Sequence, residues 1–259
     1  MCLFVVNLST VFTEVPFLER FKKASEANFA HVECQFPYVT SKESIKKELE
    51  RNRLNLILIN LPPGNWEDGD RGLAVDLTKV SEFHEAVERG IEYATTLGCS
   101  KIHCMAGILT KDIDRQKARN TYIENIKYAA NRFAAYQLTL LIEPINTYDM
   151  PGYFLNNIED AVAIIEEVNL PNVKLQYDFY HQQRMQGDDL MLTFDKYKKY
   201  IGHVQIADVP GRHEPGTGKM NYNHIFKSLD ELKYEGFIGL EYTPIKESEA
   251  SFTWMRGKQ

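Results

Sequence analysis

Four runs of the sequence pass from apolar residues into an oxygen-bearing side chain. LTLLIEPIN (138–146) carries Glu143, followed at once by a proline, and VKLQYDFYH (173–181) carries Asp178. GHVQIADV (202–209) carries Gln205, and GFIGLEYTP (236–244) carries Glu241. A charge at the end of a buried run costs several kcal/mol unless something pairs with it. Three carboxylates converging without a counter-charge would also repel one another. A bound cation answers both problems, and an all-oxygen donor set suits a hard divalent ion such as Mg²⁺ or Mn²⁺, where zinc would prefer His or Cys. Four separate polar residues capping strands near solvent is the plainer alternative.

Whether the four meet depends on the elements that carry them. Strand-like runs fall near 3–8, 31–36, 54–60, 101–105, 138–143, 173–178, 203–207 and 237–242, spaced by roughly one βα unit of ~30 residues. Helical patterns separate them, over 15–27, 41–51, 78–97, 112–136, 158–168, 190–200 and 222–232. The stretch 78–97 has a threonine to cap it and Gly98 to stop it. Strict alternation implies parallel strands with helical crossovers, and eight such units close naturally into a (β/α)8 TIM barrel. The last unit is incomplete: ESEASFTWMRGKQ is short and poorly periodic, so the eighth helix is expected to be short or missing. No G-x-G-x-x-G follows the first strand, and no linker divides the chain, so residues 1–259 are read as a single domain. In such a barrel the C-terminal strand ends form the active face, and Glu143, Asp178, Gln205 and Glu241 all stand there, on the fifth to eighth strands.

The bulk composition agrees. A length of 259 residues suits one barrel, with 44% hydrophobic and 25% charged residues. The net charge of −6 argues against a nucleic-acid surface. No apolar stretch approaches the ~20 residues of a membrane span, and the apolar start MCLFVVNLSTVF lacks the basic flank of a signal peptide. Cys2, Cys34, Cys99 and Cys104 show no paired spacing and read as free thiols, Cys34 and Cys104 as small core residues, in a cytoplasmic protein. Nothing marks an interface, which leaves a homo-oligomer open.

With those residues in place, the chain resembles the hydroxypyruvate isomerase family, within the xylose-isomerase-like barrels that also hold ketose 3-epimerases and type IV AP endonucleases. The resemblance rests on NLSTVFTEVPFLERF, INLPPGNWEDGDRGLA, LLIEPIN, DFYHQQ and GHVQIADVPGRHEPGTGKMNY, in that order along nearly the whole chain. It implies that Glu143, Asp178, Gln205 and Glu241 bind one divalent metal, and that Glu143 and Glu241 act as proton donor and acceptor. The implied reaction interconverts hydroxypyruvate and tartronate semialdehyde through an enediolate, with Asp178 and Gln205 as positioning ligands. Ketose epimerases carry histidine where this chain has Gln205. His181 matches the D-x-x-H of these barrels and is expected to bond a substrate oxygen. Arg212 suits a substrate carboxylate, through its planar fork, or else pairs with Glu214 at the surface. His103 is either a substrate contact or a satisfied core histidine. Trp66 and Arg71 lie in GNWEDGDRG, a lid over the site or an ordinary solvated connection, and His84 is expected at the surface.

Three rival readings follow. An isomerase or epimerase of another small hydroxy-keto acid, such as a 2-oxo-tetronate, or of a ketose, would keep the same metal chemistry. A DNA-repair endonuclease of this barrel type would need a histidine-rich three-zinc cluster, and here Gln205 and Gly211 stand where it needs a histidine and an aspartate. A non-catalytic scaffold would have no use for costly buried carboxylates.

Overall fold

The computed structural model describes residues 3–109, 114–186 and 189–255; Cys2, the expected start of the fourth helix at 112–113 and the tail 256–259 lie outside them. Eight strands alternate with helices in the order β1 (Leu3–Asn7), α1 (Phe17–Glu26), β2 (His31–Glu33), α2 (Lys42–Asn52), β3 (Asn55–Asn60), α3 (Val80–Leu97), β4 (Lys101–His103) and α4 (Arg115–Ala134). They continue as β5 (Thr139–Ile142), α5 (Ile158–Val168), β6 (Val173–Asp178), α6 (Phe179–Gln186), α7 (Leu190–Tyr197), β7 (Ile201–Ile206), α8 (Tyr222–Glu231) and β8 (Phe237–Leu240). Every strand pairs in parallel with its sequence neighbour, and β1 pairs with β8 to close the barrel. The expected (β/α)8 TIM barrel is therefore what the sequence forms. No helix among the described residues is long and apolar enough to cross a membrane.

Helix ends follow side-chain capping. Ser41 takes the N–H of Ser44, and Asn157 takes that of Asp160, each satisfying a donor the helix leaves free. The third helix departs from expectation at its start. Asp76, two residues before the expected threonine cap, takes both the N–H and the hydroxyl of Thr78 and caps a 3₁₀ turn, Leu77–Lys79, that leads into α3. Gly98 ends that helix at φ 68, as expected. The 190–200 pattern stops as α-helix at Tyr197 and tightens into a 3₁₀ turn over Lys198–Tyr200.

Two larger features complete the barrel. α6 is absent from the sequence-based pattern because FYHQQRMQ is polar and weakly periodic. It forms because Asp178, the last residue of β6, takes the N–H of Tyr180 at 2.7 Å and caps the helix directly. After β8 a 3₁₀ segment, Ser248–Met255, replaces the eighth helix. It is pinned by aromatic contacts, Phe252 against Phe29 and Trp254 parallel to Phe226 of α8, so a reduced element still covers the gap.

The helix-facing side of the strands is apolar, with Val6, Val32, Ile102, Leu140, Val204 and Ile238 buried. The inner side is unusually polar. Glu33, fully buried, accepts from Asn7 (3.1 Å), Gln205 (2.8 Å) and His203 (2.8 Å) across the barrel. A side chain at Gly239 would put its Cβ 2.5 Å from the Glu33 carboxylate, so β8 keeps a glycine there. A register shift between β6 and β7 then sets the site: Leu175 pairs with Ile201, but Gln176 pairs with His203 and Asp178 with Gln205. The extra residue, Gly202, turns Gln205 onto the same face as Asp178.

Candidate active site

The ends of β5 to β8 carry the four expected residues to one mouth of the barrel. Glu143 follows β5, Asp178 ends β6, Gln205 lies in β7 and Glu241 follows β8. All four are buried. Glu143 and Glu241 line a cavity of about 270 Å³, whose walls include Gln35, Asn60, Trp66, His103, His181 and Arg212; Asp178 and Gln205 are not among its lining residues.

The carboxylates are not equivalent. Glu241 is held on both oxygens: Asn7 (3.1 Å) and Gln35 (2.9 Å) donate to Oε1, and Arg212 donates to Oε2 at 2.7 Å. Glu143 Oε1 and Asp178 Oδ2 are buried with no hydrogen-bond partner. Burial, then the charges of Glu241 and Asp178, push the Glu143 carboxyl well above its ordinary range. Burial likewise pushes Asp178 up to about 7 against the opposing pull of Arg212, and Glu241 is raised too, chiefly by burial. Three carboxylates face the single positive charge of Arg212, and a small cation would supply the balance. Glu143, Asp178 and His181 each offer a donor atom within 4.8 Å of one another. The residues present therefore fit a divalent ion. Gln205 Oε1 accepts from Gln176 at 2.6 Å and keeps a second lone pair.

The ring of His181 is better suited to another part. Asn146 takes the N–H groups of Tyr148 and Asp149 on its Oδ1 and gives one amide hydrogen to Asp149. Its orientation is thereby fixed, and the other hydrogen goes to His181 Nδ1 at 2.7 Å. Nδ1 is then an acceptor, and the proton of this neutral ring sits on Nε2. Burial first, and the charge of Arg212 next, hold the ring well below its usual pKa. A metal-binding histidine would show the reverse pattern, donating from its outer nitrogen. His181 Nε2 lies 3.6 Å from Asp178 Oδ2, and Arg212 Nη2 lies 3.7 Å from the same oxygen. Arg212 Nη2 also stands 3.4 Å from Nε2 itself, a contact between two donors that an anionic oxygen placed between them would relieve.

Arg212 arrives on a loop built for it. Asp208, at the end of β7, accepts backbone N–H groups from Val209, Gly216, Gly218 and Met220. Arg212 sits inside that loop at φ 55, its N–H on Asp208 O and its carbonyl on the N–H of Thr243. Glu214 instead takes the N–H of Ile245, so the surface pairing with Arg212 is not formed.

His103 is no satisfied core histidine. It is buried in the cavity wall with neither ring nitrogen hydrogen-bonded, 3.7 Å from Glu143, and burial lowers its pKa to about 3. Trp66 lines the cavity against Phe36, while Arg71 stacks on the outer Trp66 face at 3.8 Å and does not line the cavity. His84 is half-buried away from the site, stacked on Tyr128. Asn7, Glu33, Gln35 and Asn146 were not singled out by sequence reasoning. Glu33 stood inside the run 31–36 and not at its end, and only the early stop of β2 makes it a strand-end carboxylate. Asn146 lay in LLIEPIN, but an asparagine after a strand reads as turn chemistry.

Nearly the whole chain is similar to known proteins. Residues 21–258 match the xylose isomerase-like TIM barrel family. A 2-oxo-tetronate isomerase of Cupriavidus necator is 44% identical over 98% of this chain and 97% of its own. A hydroxypyruvate isomerase of Escherichia coli is 42% identical over 98% of each. A solved structure from Brucella melitensis, described as an AP endonuclease of family 2, superposes with a TM-score of 0.96 at 43% identity, covering 99% of this chain and 98% of that one. The chain belongs to the xylose isomerase-like TIM barrel family, within it to the group that holds hydroxypyruvate isomerases and 2-oxo-tetronate isomerases, and is an isomerase.

Proposed function

We propose that the chain interconverts hydroxypyruvate and 2-hydroxy-3-oxopropanoate (tartronate semialdehyde), with Mg²⁺ or Mn²⁺ held by Glu143, Asp178, Gln205 and Glu241. The observation that carries this reading is a cavity lined by two glutamates, one after β5 and one after β8, beside carboxylate oxygens that lack partners. When bound, the cation would polarise the substrate carbonyl and offset charge on the developing enediolate oxygen. Glu143 and Glu241 move the proton between adjacent carbons, one removing it and the other returning it to the neighbour. Asn7, Gln35 and Arg212 fix the direction of the Glu241 carboxylate. His181 donates from Nε2 to a substrate oxygen, and Arg212 beside it favours an acid over a neutral sugar. His103 contributes a neutral ring to the cavity wall next to Glu143. The cytoplasmic reading rests on the buried, unpaired thiols of Cys34, Cys99 and Cys104.

A second reading keeps the mechanism and lengthens the substrate to a 2-oxo-tetronate, as the name of the Cupriavidus relative suggests. The endonuclease name of the Brucella structure finds less support. Among the described residues one group of three candidate metal ligands occurs, with a single histidine, in a chain of net charge −6.

Proton exchange in D₂O with Mg²⁺, followed by NMR, separates these readings. Deuterium entering hydroxypyruvate as tartronate semialdehyde appears is the expected result. Exchange with the four-carbon acid alone would move the substrate, and cleavage of an abasic-site duplex would favour the nuclease. Glu143→Gln and Glu241→Gln should each lower kcat by about 10³-fold or more with the fold intact. An active variant would remove that glutamate from the chemistry.

A further inference from the structure

Position 205 is an amide where a carboxylate or an imidazole could also serve a cation, and the barrel interior offers a reason. Glu33 ends β2 beneath the site, fully buried. Its Oε2 takes His203 Nε2 at 2.8 Å, and its Oε1 takes Gln205 Nε2 at 2.8 Å and Asn7 Nδ2 at 3.1 Å. An ionised carboxylate only accepts hydrogen bonds, so each of these neighbours must present a donor. Gln205 can do so only by turning its Nε2 down to Glu33, which turns its Oε1 to Gln176, a residue of the cavity wall. Asn7 spends its two amide hydrogens on two carboxylates, Glu33 below and Glu241 above, both at 3.1 Å. Glu33 is thus linked to Gln205 directly and to Glu241 through Asn7. Gly239 leaves it the room to stand there.

We propose that Glu33 is the positioning residue that dictates an amide at 205 and points its oxygen at the metal. The role rests on the reading of Gln205 as a ligand. Glu33 touches neither cavity nor substrate and acts through the residues it holds. A carboxylate at 205 would face Glu33 at hydrogen-bond distance with no proton to give, and it would have to swing away or displace Glu33. Added negative charge, which ordinarily tightens a divalent site, should here weaken it.

Exchanging the two residues tests the pairing. Mn²⁺ affinity by calorimetry and the melting temperature of the metal-free protein are measured for wild type, Gln205→Glu, Glu33→Gln and the double variant. Gln205→Glu alone should weaken Mn²⁺ binding at least tenfold and lower the metal-free melting temperature. The double variant restores one donor and one acceptor across the 33–205 contact but sets an amide N–H against Asn7 Nδ2, so both readouts should recover most, not all, of the loss. Glu33→Gln alone should fall between, because its amide oxygen can still accept from Gln205. Gln205→Glu binding Mn²⁺ as tightly as wild type, or a double variant no better than Gln205→Glu, would overturn the proposal. Wild type that takes up no Mn²⁺ would instead overturn the metal reading beneath it, while the melting temperatures would still report whether residues 33 and 205 are coupled.

Discussion

Asn146 determines what His181 can do, and neither residue's identity reveals it alone. With its oxygen committed to the N–H groups of Tyr148 and Asp149, the Asn146 amide can only donate to His181 Nδ1. The proton on Nε2 then faces the cavity. Asn146→Asp is nearly isosteric but reverses the bond: a carboxylate accepts from Nδ1–H and leaves Nε2 without a hydrogen. Steady-state kinetics should show kcat/KM falling about 10²-fold or more, the scale for losing one preorganised donor. A His181 that ligates metal would be improved by the same change, since a carboxylate behind the ring strengthens a metal-bound histidine. Increased metal affinity in Asn146→Asp would therefore argue for ligation. Glu143 and Asp178 were legible as ends of apolar runs, because a charge in such a place is costly enough to need a reason. The hydrogen-bonding state of His181 was not legible, because it depends on a side chain 35 residues away in sequence.

At the scale of elements, the loop between β7 and α8 matters most. Arg212 was a candidate from its side chain alone, yet its position comes from Asp208 four residues earlier. That carboxylate gathers four backbone N–H groups, and Gly218 passes so close that a Cβ there would lie 2.1 Å from Val209 O. Asp208→Asn places an NH₂ group among donors and should cost about 1–3 kcal/mol in urea unfolding. Because the loop that holds Arg212 loosens, KM for an acidic substrate should also rise. A variant that loses stability with unchanged KM would show that the loop does not position Arg212 for substrate. α6 is another case where local pattern was a poor guide. Its helix-forming signal is a cap supplied by the strand before it, and the same Asp178 oxygen set serves strand, helix and site.

For the molecule as a whole, the carboxylate cluster links stability to metal and to pH. Asp178 titrates near 7 in the folded protein, with Glu143 and Glu241 also raised by burial, while a free aspartate titrates near ~3.9. The fold holds these protons more tightly than the unfolded chain does. The Asp178 contribution to stability is full below about pH 4 and is lost as pH rises through about 7, and those of Glu143 and Glu241 fall in the same direction. A divalent ion needs the same groups ionised and offsets the loss. Differential scanning with Mg²⁺ and with EDTA should therefore give nearly equal melting temperatures at pH 5 and a gap of several degrees at pH 8. A gap independent of pH would place the stabilising metal elsewhere than at these carboxylates.

The division between what the sequence determined and what the tertiary structure decided follows the range of the interactions. The sequence by itself determined the alternation of strand and helix, the parallel barrel that alternation implies, and the four strand ends where oxygen-bearing side chains stand. Each of these is written in periodicity or in a charge against an apolar run, over fewer than about ten neighbouring residues. The tertiary structure decided the rest. The shift between Leu175 and Gln176 puts Gln205 beside Asp178, closure of β8 on β1 brings Glu241 and Asn7 together, and the barrel interior joins Glu33 to Gln205 across 172 residues of chain. A hydrogen bond fixes which atom faces which, and across such separations no local pattern encodes it.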